Sequence, residues 1–329
     1  MSTAQLHTQS SSGSFASDIM HLMGQTLRQS WGLIVALIAL VVIFSLTSPY
    51  FLNIFVFDRI LTNASFTLIM ATGMTLVIAT GGIDVSVGAT LALTSVVAAT
   101  LMSLGLHWIP AASIGLILGA AIGATNGSII SYLRLQPFIV TLAMLSLARG
   151  LTLIISNGSP VRSISDGFSS AFKGDMVMVI GFSILILTMI VIHRTRIGIH
   201  LRGIGGSEPT SFICGIPVNL MRVGVYSVQG ALAVLAGYTL TASFNAAEPT
   251  AGLSTEWLEA LAAPIIGGNT MAGGRIRLFG TLMGCLLLAT MRSGLNISGV
   301  PVAWQQIAIG LIIVSAVAID VFTQRKKRD

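Results

Sequence analysis

From Trp31 to Phe322 the chain is a succession of apolar runs separated by Gly, Pro or charge, each close to the roughly 20 residues that one helical bilayer crossing needs. The runs lie at 31–47, 60–79, 86–105, 110–132, 138–156, 176–192, 220–243, 256–267, 279–296 and 302–322. With 54% hydrophobic and 9% charged residues, against roughly a quarter charged in soluble domains, the bilayer is the solvent. Disorder is excluded by the apolar content, and a fibrous repeat by the lack of any strict glycine period. The expected fold is an all-α polytopic membrane protein of about ten helices, some short or broken. The eighth run is too short to cross alone and carries Pro264 before Gly267 and Gly268, so it is either lengthened by its polar approach or a broken helix.

Basic residues set the expected orientation, because positive loops resist translocation. With the N-terminus inside, Arg28, Arg134, Arg194, Arg196, Arg202, Arg222, Arg275, Arg277 and the tail Arg325-Lys326-Lys327-Arg328 fall in cytoplasmic segments. Arg59, Arg162, Lys173 and Arg292 fall outside, and Arg149 lies within a span. Both termini are therefore expected in the cytoplasm. The division is a polar cytoplasmic tail at 1–30 without a cleavable leader, a transmembrane domain at 31–322 and a basic cytoplasmic tail at 323–329. Trp108, Trp257 and Trp304 are expected at outer membrane edges and Trp31 at an inner one. The net charge of +6 fits a membrane flank rather than nucleic acid.

Enzymatic chemistry has little to build on. None of His7, His21, His107, His193 and His200 is inside a span, and Cys214 and Cys285 match no metal or redox spacing. No Gly-Lys pair exists, so there is no P-loop and any ATP-driven step needs another chain; no cofactor is expected. The ionisable residues in or beside spans are Asp84, Arg149, Glu256, Glu259 and Asp320. Asp84 can cap the third span and Asp320 can face the basic tail, while Glu256 and Glu259 open the eighth run either as first-turn caps or as pathway groups. One of these two glutamates could pair with Arg149.

Three Gly-rich stretches stand out: Gly81-Gly82-Ile83-Asp84-Val85-Ser86-Val87-Gly88, Gly267-Gly268-Asn269 with Gly273-Gly274, and Gly123 to Ser128 around Asn126. Each fits either close helix packing or a hinge beside a pathway. Asn126, Gln136, Thr141, Gln305 and Gln306 are polar groups in or beside spans, suited to a pathway or to helix–helix hydrogen bonds. In the long loop 193–222, Ser207 reads as an N-cap, Glu208 and Pro209 as a first turn and Gly215 as a stop, giving a two-turn helix across the cytoplasmic face.

The stretch from Ala71 to Gly88, ATGMTLVIATGGIDVSVG, resembles a signature of the permease subunits of ribose/xylose/galactose-type ABC importers, within the branched-chain amino-acid/sugar permease superfamily. Gln136-Pro137-Phe138-Ile139-Val140-Thr141-Leu142, Ile204-Gly205-Gly206 leading to Gly215-Ile216-Pro217-Val218, Ile265-Ile266-Gly267-Gly268, and Gly294-Leu295-Asn296 with Gly299-Val300 extend the likeness over about residues 50–322. Val85 stands where the sugar branch often has Leu, and Thr210, Ser211 and Arg275-Ile276-Arg277 also depart from its pattern. The resemblance implies ten-helix permeases paired as a dimer in the inner (plasma) membrane, with a monosaccharide pathway between them. It also implies a separate ATP-binding subunit and a periplasmic or extracellular sugar-binding protein. Arg202, Gly205, Gly206, Ser207, Glu208, Pro209, Gly215 and Ile216 match the segment that docks on the ATPase. Gly81, Gly82, Asp84, Ser86, Asn126, Gln136, Thr141, Glu256 and Glu259 are the pathway or hinge candidates. Two other readings stay open: an ion-coupled carrier or facilitator working alone through Glu259 or Arg149, and an amino-acid permease of the same superfamily.

Overall fold

A computed structural model describes the backbone of residues 15–162 and 164–325, and the side chains of 31–162, 164–312, 314, 315 and 318. Asp320, the basic tail, His7, His21 and Arg28 lie outside the described side chains. Lipid offers backbone groups no partner, so each apolar run satisfies its own peptide bonds as a helix. In chain order the helices are α1 (Phe15–Thr47), α2 (Ile54–Ala79), α3 (Val87–Ser103), α4 (Trp108–Tyr132), α5 (Pro137–Ser156), α6 (Asp166–Phe172), α7 (Asp175–Arg194), α8 (Arg196–Gly206), α9 (Glu208–Ile213), α10 (Val218–Phe244), α11 (Glu256–Ile266), α12 (Leu278–Ile297) and α13 (Val302–Arg325). The expected runs correspond to α1–α5, α7 and α10–α13.

Six helices, α2, α4, α5, α7, α10 and α12, are long and apolar enough to cross a membrane, and Trp31–Thr47, Val87–Ser103 and Val302–Ile312 are shorter apolar helical stretches. The chain is therefore a multi-pass membrane protein. α11 has 11 residues, about 16 Å or half a hydrocarbon core. Its approach, 245–255, is not helical, and the helix stops where Gly268 takes a positive φ of 86°. The eighth run is thus short, not lengthened.

Local signals place the ends. Asn53 accepts from Phe55 N and starts α2 at Ile54, six residues before the expected run. Asn157 and Asn245 end α5 and α10 in the left-handed conformation, at φ 49° and 52°, as short amide side chains permit. α1 begins at Phe15, inside the segment read as a polar tail, and α8 turns the first part of the expected 193–222 loop into helix.

α2 is the central helix, buried throughout from Thr67 to Ala79 and packed by α7, α10, α11 and α12. α4 lies against α10 along Gly115, Gly119, Gly123 and Gly127. A β-carbon on Gly123 would overlap the Tyr226 carbonyl, so small residues are what let these helices meet. One end of the bundle carries α8, α9 and the Gly-rich breaks; the other carries α6.

Trp257 corrects the expectation of an interfacial anchor. The stretch between α10 and α11 dips back into the bundle, so Trp257 packs beside Gly88 at the start of α3, against the hydrophobic core. Trp108 and Trp304 do stand at helix starts, at the α6 end.

Candidate functional site

The backbone between α2 and α3 leaves helical form at Thr80, surfaces at Gly81 and is buried again from Asp84 to Ser86. Asp84 and Ser86 are 3% and 0% exposed, although they belong to a loop. Such a loop needs partners for every polar group, and these come from three helices. Asp84 Oδ1 accepts from Ser86 N at 2.9 Å and Ser86 Oγ at 2.6 Å, closing the turn ahead of α3. Asn126 Nδ2 of α4 donates to Ser86 Oγ at 3.0 Å. Val85 N donates to Thr141 Oγ1 of α5 at 3.2 Å, and Tyr226 of α10 donates its hydroxyl to Ile83 O at 3.2 Å. Asp84, Ser86, Asn126 and Thr141 are thus brought into one network.

Gly81, Gly82 and Gln136 stand beside that network, lining a cavity of about 530 Å³ that opens toward α8 and α9 between Arg134, Ile204, Glu208 and Arg222. The second Gly-rich break meets the first here. Gly274 N donates to Ala79 O at 2.9 Å, and Asn269 staples its own turn by donating to Pro264 O at 2.8 Å and accepting from Arg277 N at 2.7 Å. Asn269 Nδ2 also reaches Thr281 Oγ1 at 3.1 Å, and Thr281 bonds Thr75 of α2 at 2.8 Å.

Ser207 caps α9 as expected, accepting from Thr210 N, and Gly215 follows its end at φ 79°. Glu208 bonds Arg222 of α10 at 2.6 Å. Pro209 sits in the first turn of α9, and Ile216 packs near Gly203. Arg202, Gly205 and Gly206 belong to α8 rather than to a loop. Gly205 faces inward, where a β-carbon would overlap Ala79 O and Gly274 N, whereas Gly206 has open space.

Glu256 and Glu259 lie far from this end, beside Arg59, Thr67 and Arg292 in a second cavity toward α6. Glu259 is buried and accepts from Arg292 Nη1 at 3.1 Å; Arg292 Nη2 reaches Thr255 Oγ1 at 3.3 Å. Arg292 stands within α12 rather than in an outer loop, and it, not Arg149, is the partner of Glu259. Arg149 faces out from α5. Gln305 donates to Val300 O at 2.8 Å, a local bond at the start of α13, and Gln306 is exposed beside it.

Sequence reasoning missed Arg292 because 33 residues separate it from Glu259, and no spacing rule joins them. Tyr226 and Arg222 were detectable, since an i, i+4 pair shares one helix face. Among the described residues no group of three His, Cys, Asp or Glu could hold a metal. What the arrangement offers is polar hydrogen bonding inside a membrane bundle.

The chain is 40% identical to the ribose import permease protein of Escherichia coli K12 over 302 residues, 87% of this chain and 92% of that protein. It is 37% identical to the ribose import permease protein of Bacillus subtilis 168, over 89% and 92% of the two chains. The D-allose transport system permease protein of Escherichia coli K12 is 36% identical over 88% and 91%. No solved structure matches the chain. Residues 56–317, from the start of α2 into α13, match the family described as branched-chain amino acid transport system / permease component, and the chain belongs to that family.

Proposed function

We propose that this chain is the membrane permease subunit of an ATP-driven monosaccharide importer. The observation that carries the reading is its likeness to ribose and allose permeases over nearly the whole length of both chains. The subunit is not itself an enzyme; ATP hydrolysis belongs to a partner ATP-binding subunit, and a sugar-binding protein delivers the solute.

In this reading ten segments cross the inner (plasma) membrane, with the 1–30 and 323–329 segments in the cytoplasm. Arg134, Arg194, Arg196, Arg202, Arg275 and Arg277 at the α8–α9 end support that side as cytoplasmic. The exposed α9, held to α10 by Glu208 and Arg222, is the docking element for the ATPase. Arg222 stands one helical turn from Tyr226, which grips the Ile83 carbonyl, so movement of α9 reaches the buried loop through a single helix face. That loop, with Asp84, Ser86, Asn126 and Thr141, is the hinge beside the pathway. Arg149 on the open face of α5 supports pairing with a second permease, because an arginine on a membrane helix avoids lipid tails.

The test is uptake of labelled D-ribose, D-allose, D-fructose and leucine into cells with and without this chain or its partner ATPase. Sugar uptake that needs both is expected. Uptake that survives loss of every partner ATPase would overturn the reading in favour of a carrier working alone, and uptake of leucine alone would leave an amino-acid permease.

A further inference from the structure

The cavity at the α6 end has a volume of about 710 Å³, within the roughly 300–1,000 Å³ of small-molecule sites. Its charged groups nearly balance: Arg59 and Arg292 against Glu248, Glu256 and Glu259. It is therefore no trap for an ion of either sign. The rest of the wall carries hydroxyls and an amide, with Asn63, Thr62 and Ser254 among them, and two phenyl rings, Phe66 and Phe244. Hydroxyl and amide groups beside aromatic faces suit a neutral polyhydroxylated ring, which presents hydroxyl edges and an apolar face.

The ion pair between buried Glu259 and half-buried Arg292 has unused capacity. A guanidinium offers five N–H donors, and Arg292 directs one to Glu259 and one to Thr255. The Glu259 carboxylate offers about four acceptor positions. It receives one bond from Arg292 and a long one from Thr67 at 3.5 Å. Independently, Glu256 Oε2 in the same wall is buried with no partner among the described residues. A buried acceptor without a donor is unfavourable, and a ligand hydroxyl would satisfy it.

We propose that this cavity is a sugar subsite inside the single subunit, in which Glu259 and Glu256 accept from sugar hydroxyls and Arg292 donates to a neighbouring one. The proposal rests on the importer reading above. It places solute selection partly within each permease, on the side opposite the ATPase, and not only in the delivering protein.

The experiment uses the whole importer in liposomes with its ATPase and sugar-binding protein, and initial uptake of whichever of D-ribose, D-allose and D-fructose the wild type carries. The variant is the double Glu259→Met, Arg292→Met, because replacing both partners by apolar groups of similar size removes the pair without leaving the buried Glu259 charge, or its Arg292 partner, unpaired. The expected result is an unchanged Tm, uptake at least about 10-fold lower, and weaker discrimination against the same sugar lacking one hydroxyl, the last on the rule that sites built around a ligand hydroxyl reject analogues without it. Wild-type uptake and discrimination in the double variant would make the pair purely structural and overturn the proposal. If the double variant does not fold, Glu256→Gln takes its place, since Glu256 Oε2 has no partner among the described residues. Reduced uptake with raised KM supports the subsite, and unchanged kinetics overturn it. A wild-type importer that moves none of the sugars removes the importer reading, and this proposal with it.

Discussion

Glu208 and Arg222, 14 residues apart in sequence, close the α9–α10 turn with two hydrogen bonds, at 2.6 and 3.4 Å. Glu208 keeps half of its side chain open while Arg222 is mostly covered, so the pair ties a surface helix to a buried one.

Its stability contribution is small, about 0.2–1 kcal/mol for a partly exposed pair, so its loss is expected in coupling rather than in folding. Arg222→Glu sets two carboxylates together and should cut uptake several-fold with little change in Tm. Exchanging both charges, Glu208→Arg with Arg222→Glu, should recover most of the uptake. Equal failure of single and double variants, measured as uptake per ATP hydrolysed, would break the proposed link.

Adjacent glycines in α8 should respond oppositely. Gly205→Ala has no room beside Ala79 and Gly274 and should lower Tm sharply or leave little folded protein. Gly206→Ala meets nothing, and helix propensity favours it by about 0.5–1 kcal/mol. Thermal melting in detergent checks both. Similar Tm values for the two would contradict the packing described for Gly205.

Asn269→Ala deletes the staple of the break after α11. Arg277 N would lose its acceptor, and Pro264 O and Thr281 a donor, at 1% exposure of the parent residue. Pro264 O keeps its bond from Asn269 N, and Thr281 keeps its bond to Thr75, so Arg277 N is the group left stranded. At about 1–3 kcal/mol for that group, the melting point should fall clearly, further than for Gln306→Ala on the surface.

Gln229 tests the reverse case. It is fully buried in α10 beside Gly73, with neither amide atom bonded among the described residues. Gln229→Leu should therefore hold or raise Tm, since removing an unsatisfied amide costs nothing in lost bonds. A fall of several degrees would mean that the amide is satisfied in the membrane.

Helical class, the positions of the apolar runs and the α9 cap were legible because each depends on residues close in sequence. Hydrophobic length places the helices, and Ser207-Glu208-Pro209 spells a helix start in three positions. The Gly81–Gly88 stretch could be singled out as a break from the same local chemistry, but Asp84 does not cap α3: Ser86 holds the cap position, and Asp84 accepts from Ser86 to close the turn ahead of it.

What only the tertiary structure decided is who meets whom across the bundle. Asn126 finds Ser86, Glu259 finds Arg292 instead of Arg149, and Gly205 turns from a docking surface to a contact between two breaks. Trp257, expected at a membrane edge, packs partly buried against the core because its segment folds back. Such choices arise from helix order and from how closely small residues let backbones approach. They are sums over distant parts of the chain, which no periodicity along a single run encodes.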